Sequence, residues 1–150
     1  MKNKTVLKIR EFNRFYLSVM EFYENRYLDS DYSITESRVL YEIYESGECS
    51  ADDIIKKLHL DKGYVSRIIK RFESSRILQR KRSETDARSY QIRLTEKGRE
   101  ATEELIRKSD QGIGTIIQPL SEEECVRLEH SMDTVKEILT GGLRHDDHTI

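Results

Sequence analysis

From Thr5 to about Tyr27, Val6, Ile9, Phe12, Tyr16, Val19, Tyr23 and Tyr27 recur at spacings of three and four, and Phe15, Met20 and Phe22 widen the stripe. That period predicts one long amphipathic helix. Asp29, Ser30 and Asp31 mark a loop after it. Ser33 and Thr35 are both candidate N-caps for a second helix, and Ser33 with Glu36 has capping-box spacing. This helix is expected to run to Ser46, to bury Val39, Leu40 and Ile43 with Tyr44 at the margin, and to stop at Gly47. Ser50 opens a short third helix, with Asp53 three residues on, that buries Ile54, Ile55 and Leu58. Asp61 caps a fourth, Lys62 to Ser75. Its apolar face is Val65, Ile68, Ile69 and Phe72; Lys62, Gly63, Ser66, Arg67, Lys70 and Ser74 lie opposite.

The period then falls to two. Ile77 to Arg82 reads as a strand and Ser83 to Arg88 as a turn. From Ser89 to Leu94 the chain alternates, with Tyr90, Ile92 and Leu94 on one face. Thr95 caps a fifth helix along which Gly98, Ala101, Leu105, Ser109, Gly112 and Ile116 form a stripe of mostly small residues. After Pro119, Ser121 and Glu124 repeat the capping-box spacing. They open a last helix with Cys125, Leu128, Met132, Val135 and Leu139 in a heptad-like row. Gly141-Gly142 is expected to end it and residues 143–150 to fray. The fold class is therefore mainly α with a small β-hairpin wing (α+β). Short helices at 35–46, 50–58 and 61–75 followed by a two-stranded ribbon make a winged helix-turn-helix.

The chain has 150 residues, 36% of them charged. That is one ordinary domain, or a small domain with a packing extension, and it needs no disulfide staple. No run of aliphatic or aromatic residues exceeds three, whereas a membrane span needs about 20. No apolar region follows the charged first residues, so no signal peptide is expected and the chain reads as cytoplasmic. Cys49 and Cys125 are too few for a disulfide framework or a four-ligand zinc site.

Charge changes the picture more. The net charge is −2, yet Asp61 to Leu94 holds ten basic residues against four acidic ones, a local +6, and the rest of the chain carries −8. A basic window inside an acidic protein aims a polyanion at one face. Lys62, Gly63, Tyr64, Ser66 and Arg67 put small or polar groups on the first half of the fourth helix, where a groove-reading helix meets base edges. Lys70, Arg71, Arg80 and Arg82 suit phosphate. Gly63 either admits a phosphate to first-turn amides or only relieves packing. Asp86 and Arg88 share a face of an extended wing, so the carboxylate either orients the guanidinium for a narrow minor groove or forms an ordinary surface pair.

Asp86-Ala87-Arg88, five residues, then Leu94-Thr95-Glu96-Lys97-Gly98 resembles the wing signature of the MarR family of bacterial transcriptional regulators. Ser33 to Leu40 and Leu60 to Glu73 resemble that family's second helix and recognition helix. The latter stretch and Arg10 to Tyr16 are most similar to the regulator half of MarR–acetyltransferase fusions, without implying acetyltransferase activity here. The resemblance implies a homodimeric repressor that binds double-stranded DNA at a pseudo-palindromic operator and is released by a small aromatic or lipophilic effector.

The implied arrangement is a dimerisation helix at 1–32, a winged DNA-binding domain at 33–95, dimerisation helices at 96–142 and a disordered tail at 143–150. Phe12, Leu128, Met132, Val135 and Leu139 are the expected dimer contacts. Tyr16, Tyr23, Tyr27, Tyr41 and Tyr44 either line an effector cavity or belong to the amphipathic core. Two alternatives remain: a thiol-oxidation sensor of the same fold, and a winged-helix interaction module that binds no DNA. Glu48, Asp52 and Asp53 oppose a thiolate at Cys49, the sensing cysteine of such relatives lies in a first helix that here has none, and Cys125 reads as core. His145-Asp146-Asp147-His148 is the weak metal candidate. No nucleophile–base pattern or phosphate loop appears, so neither an enzyme nor a cofactor is expected.

Overall fold

The computed structural model describes residues 2–27, 30–82 and 90–143, with backbone alone at 2, 20–27 and 142–143. Its elements are α1 (Lys2–Tyr27), α2 (Ile34–Ser46), α3 (Ala51–Leu58), α4 (Lys62–Ser74), β1 (Leu78–Arg82), β2 (Tyr90–Leu94), α5 (Glu96–Ile117) and α6 (Glu122–Leu143). They form two units, Met1–Gln111 and Gly112–Ile150, so α5 up to Gln111 belongs with the winged helices.

In the first unit each short helix begins on a side chain that takes up an orphan amide. The Ser33 and Ser50 hydroxyls accept from the amides of Glu36 and Asp53, whose carboxylates accept in return from the amides of Ser33 and Ser50. Asp61 Oδ1 accepts from the Tyr64 amide at 2.9 Å. Thr35 is thus a first-turn residue of α2 rather than a cap. Gly47 at φ 70° ends α2, and His59 ends α3 in the left-handed region. Val39, Leu40 and Ile43, Ile54 and Leu58, and Val65, Ile68, Ile69 and Phe72 are buried together with Ile77, Leu78, Ile92 and Leu105. Each such side chain contributes about 1.5–3 kcal/mol by leaving water.

β1 pairs antiparallel with β2, Leu78 opposite Leu94 and Arg82 opposite Tyr90, and Cys49 adds a single bridge to Ile92. β1 starts at Leu78 because the Ile77 amide instead donates to Phe72 O at 2.8 Å, finishing the exit from α4. Thr95 closes the corner. Its hydroxyl accepts from the Gly98 amide at 3.1 Å to cap α5 and donates to the carbonyl of Arg76 at 2.6 Å. Lys97 Nζ donates to Ser75 O at 3.0 Å. Gly98 is required here: a Cβ would lie 1.9 Å from the Ile77 carbonyl oxygen. The small residue at this point of the stripe therefore serves the same chain's wing root.

In the second unit the Ser121 hydroxyl accepts from the Glu124 amide at 3.2 Å, and Glu124 Oε2 accepts from the Ser121 amide at 2.9 Å. α6 runs through Gly141 and Gly142 to Leu143, against the expected stop. A helical glycine costs about 1 kcal/mol relative to alanine, which disfavours a helix without ending it. The expected frayed tail is thus helical at Leu143 and otherwise lies outside the described residues. So do the wing tip at 83–89, with Asp86 and Arg88, and the His145–His148 cluster. Among the described residues no helix is long and apolar enough to cross a membrane.

Candidate nucleic-acid interface

α4 has two opposed faces. Val65, Ile68, Ile69 and Phe72 are almost fully buried, which fixes the helix and turns Lys62, Gly63, Ser66, Arg67 and Lys70 to solvent. Tyr64 is half-buried, and its ring lies beneath the Arg67 guanidinium, 5.6 Å from carbon to centroid. This cation–π contact orients Arg67 while leaving its donors free to point outward. Among the described residues no carboxylate lies within ion-pair distance of Lys62, Arg67 or Lys70. The face thus presents three positive groups and one hydroxyl along a helix of about 20 Å.

Two expected phosphate contacts are engaged elsewhere. Arg71 Nη1 donates to Glu36 Oε1, and its Nη2 donates to Asp31 O at 3.2 Å. Arg80 gives Nε and Nη2 to Glu73 Oε2 at 3.0 and 2.6 Å. The former ties α4 to the start of α2, the latter ties it to the wing. Arg82 is exposed on β1. At the α4 N-terminus, Asp61 takes the Tyr64 amide and would sit 3.1 Å from a Cβ on Gly63, so a carboxylate occupies part of the space a phosphate was expected to use.

The five tyrosines are not brought to one site among the described side chains. Tyr16 stacks on Phe12 with centroids 5.8 Å apart, and Tyr41 is exposed. The side chains of Tyr23 and Tyr27 lie outside the described ones. Tyr44 donates to Glu103 Oε1 at 3.2 Å, carries Arg99 over its ring at 5.4 Å, and lines a cleft of about 310 Å³ with Gln79, Arg93 and Thr95. Cys49 is buried. That burial, with the carboxylates of Asp53 and Glu42, pushes its thiol up to about 11, so it is protonated at neutral pH. Cys125 is half-buried in α6.

The expected helix-pairing residues are exposed in the single chain: Phe12 at 52%, Met132 at 46% and Leu139 at 57%, with Leu128 and Val135 similar. Val6, Phe15, Leu17, Val126 and Ile138 are exposed as well. Glu36, Glu73, Thr95 and Lys97, which hold α4 and the wing in place, were not singled out by charge pattern. Their spacing to Arg71, Arg80 and the Ser75–Ile77 carbonyls is long-range and leaves no period in the sequence.

The model of the MarR family matches residues 32–90. The HTH-type transcriptional regulator MgrA of Staphylococcus aureus is 30% identical over 128 residues, 79% of this chain and 85% of that protein. Among solved structures, Streptococcus pneumoniae FabT in complex with DNA matches with a TM-score of 0.77 and 24% identity over 91% of this chain and 98% of that one. Bordetella bronchiseptica BpsR, whose DNA binding is regulated by 6-hydroxynicotinic acid, matches with a TM-score of 0.71 and 22% identity over 85% and 91%.

Proposed function

Because this chain belongs to the MarR family of transcriptional regulators, we propose that it binds an operator as a homodimer, with α4 of each protomer in a major groove, and represses transcription until a small effector releases it. The observation that carries this reading is the exposed Lys62–Ser66–Arg67–Lys70 face opposite a fully packed one, inside the +6 window. Ser66 and Arg67 reach base edges. Lys62, Lys70 and the wing cation Arg82 meet phosphate. Arg88, oriented by Asp86, enters the minor groove beside the major-groove site.

The dimer is supported by α1 and α6, whose apolar faces one chain leaves in water. An apolar helix face left in water is a candidate interface. FabT's complex with DNA supports the DNA partner, and BpsR's regulation by 6-hydroxynicotinic acid supports an aromatic effector. The protonated, buried Cys49 argues for a ligand over thiol oxidation as the signal. We place the protein in the cytoplasm, as a regulator without catalytic activity.

The test separates base from phosphate contacts. Arg67→Ala is expected to cost operator affinity about 1–3 kcal/mol and to relax specificity at one position. Lys70→Ala is expected to weaken operator and random DNA alike and to reduce the slope of log K against log salt by about 1. Equal losses on both DNAs for Arg67→Ala would contradict its assignment to base reading.

A further inference from the structure

We propose that Glu36 and Arg71 form a positioning pair that fine-tunes the rotation of α4 about its own axis, within the setting its buried face already imposes, making Arg71 a specificity-determining residue that does not itself touch DNA. The inference rests on α4 being the reading helix.

Glu36 is only 7% exposed, and a carboxylate buried that far must be fully partnered. One oxygen accepts from the Ser33 amide at 2.9 Å and closes the α2 cap; the other accepts from Arg71 Nη1. Arg71 then spends its second nitrogen on Asp31 O at 3.2 Å. The guanidinium is thus forked across the start of α2, a geometry that fixes direction as well as distance. One residue further on, Phe72 meets the Tyr32 ring edge-on at 5.7 Å. The backbone of α4 packs chiefly on α3 and β1, and its buried face shares a core with Val39, Leu40 and Ile43 of α2; the two side-chain contacts with 31–36 add a directional tie at the start of α2.

The leverage follows from helical spacing. Arg67 and Arg71 lie four residues apart, on one stripe. A rotation of about 10° carries a side-chain tip at a radius of about 6 Å through roughly 1 Å, twice the tolerance of a preorganised hydrogen bond. Base contacts at Ser66 and Arg67 feel that shift. Phosphate contacts made by long flexible lysines absorb it. Loss of the pair should therefore degrade specific binding and spare non-specific binding.

Operator and random-DNA affinities of the full-length protein would be measured across a salt series for Glu36→Gln, Arg71→Gln, the double variant and Arg71→Lys, with Arg67→Ala as control. Each would be assayed where its circular dichroism matches the parent's. Glutamine keeps the length at 36 and still supports a capping box. Each single variant is expected to lose about tenfold in operator affinity, the size of one base contact, with random-DNA affinity and salt slope unchanged. The double variant should be no worse than either single one. Arg71→Lys keeps the charge without the fork and should fail like Arg71→Gln.

A reduced salt slope in Arg71→Gln, with Arg71→Lys near parental, would overturn the proposal and make Arg71 a phosphate contact. So would an unchanged operator affinity in Glu36→Gln. If Arg67→Ala also left the operator affinity intact, the failure would belong to the reading of α4 rather than to the pair.

Discussion

Single atoms decide much at the wing root and beneath it. Gly98 faces the Ile77 carbonyl with no room for a methyl group, which would sit 1.9 Å from the oxygen. Gly98→Ala is expected to destabilise the fold by about 1–3 kcal/mol in urea unfolding, as overpacking does elsewhere, although alanine is the better helix former. A neutral or stabilising result would mean that α5 shifts freely at this corner. Cys49 gives a second case. Its folded-state thiol titrates near 11, above the about 8.5 of an exposed cysteine. The folded chain holds this proton more tightly, so the associated stability is complete below the lower value and is lost as pH rises through the upper one. Between about pH 8 and pH 10.5 the parent should therefore lose more unfolding free energy than Cys49→Ala. Equal losses would place the thiol in water. Gly98 shows a limit of sequence reading: the stripe of small residues did not say which chain segment meets it. Thr102 shows another. It is buried yet polar, because its hydroxyl donates to Gly98 O at 2.8 Å, so a search for apolar spacing passes over it.

At the scale of elements, caps and periods were the legible part. Ser33, Ser50, Asp61 and Ser121 start their helices where local spacing put them, and the apolar faces of α2 and α4 are the buried ones. Both signals act within one turn, so the chain carries them in adjacent letters. The Gly141-Gly142 stop failed because glycine weakens a helix without ending it. The engagement of Arg71 with Glu36 and of Arg80 with Glu73 was illegible for a different reason: charge pattern counts cations without saying which a carboxylate has already taken. α6 carries the prediction that belongs to this scale. Leu128, Met132 and Val135 follow a 3-4 spacing and stand exposed in one chain. Leu128→Asp puts a charge into that seam, and its burial without a partner is prohibitive. Sedimentation should show a monomer or an unfolded chain, with tight DNA binding lost together with the dimer. A dimer that survives Leu128→Asp would remove α6 from the interface.

Over the whole molecule, the proposed landing site of DNA follows the division of charge. The window Asp61 to Leu94 carries +6 and the remainder −8, so a duplex is expected to be drawn to α4 and the wing. Two protomers related by a twofold axis would set their two α4 helices on one side, and two reading helices enter successive major grooves only when their half-sites are about 10 base pairs apart. The family signature and the basic window were readable from the sequence. A twofold partner was expected only from apolar surface in excess of what one chain covers. Selection of bound fragments by the purified protein, followed by footprinting of the winner, therefore tests the account most directly. The expected result is an inverted repeat with half-site centres about 10 base pairs apart, protected by a dimer. A protected site without twofold symmetry, or a monomer that protects the full operator, would contradict it.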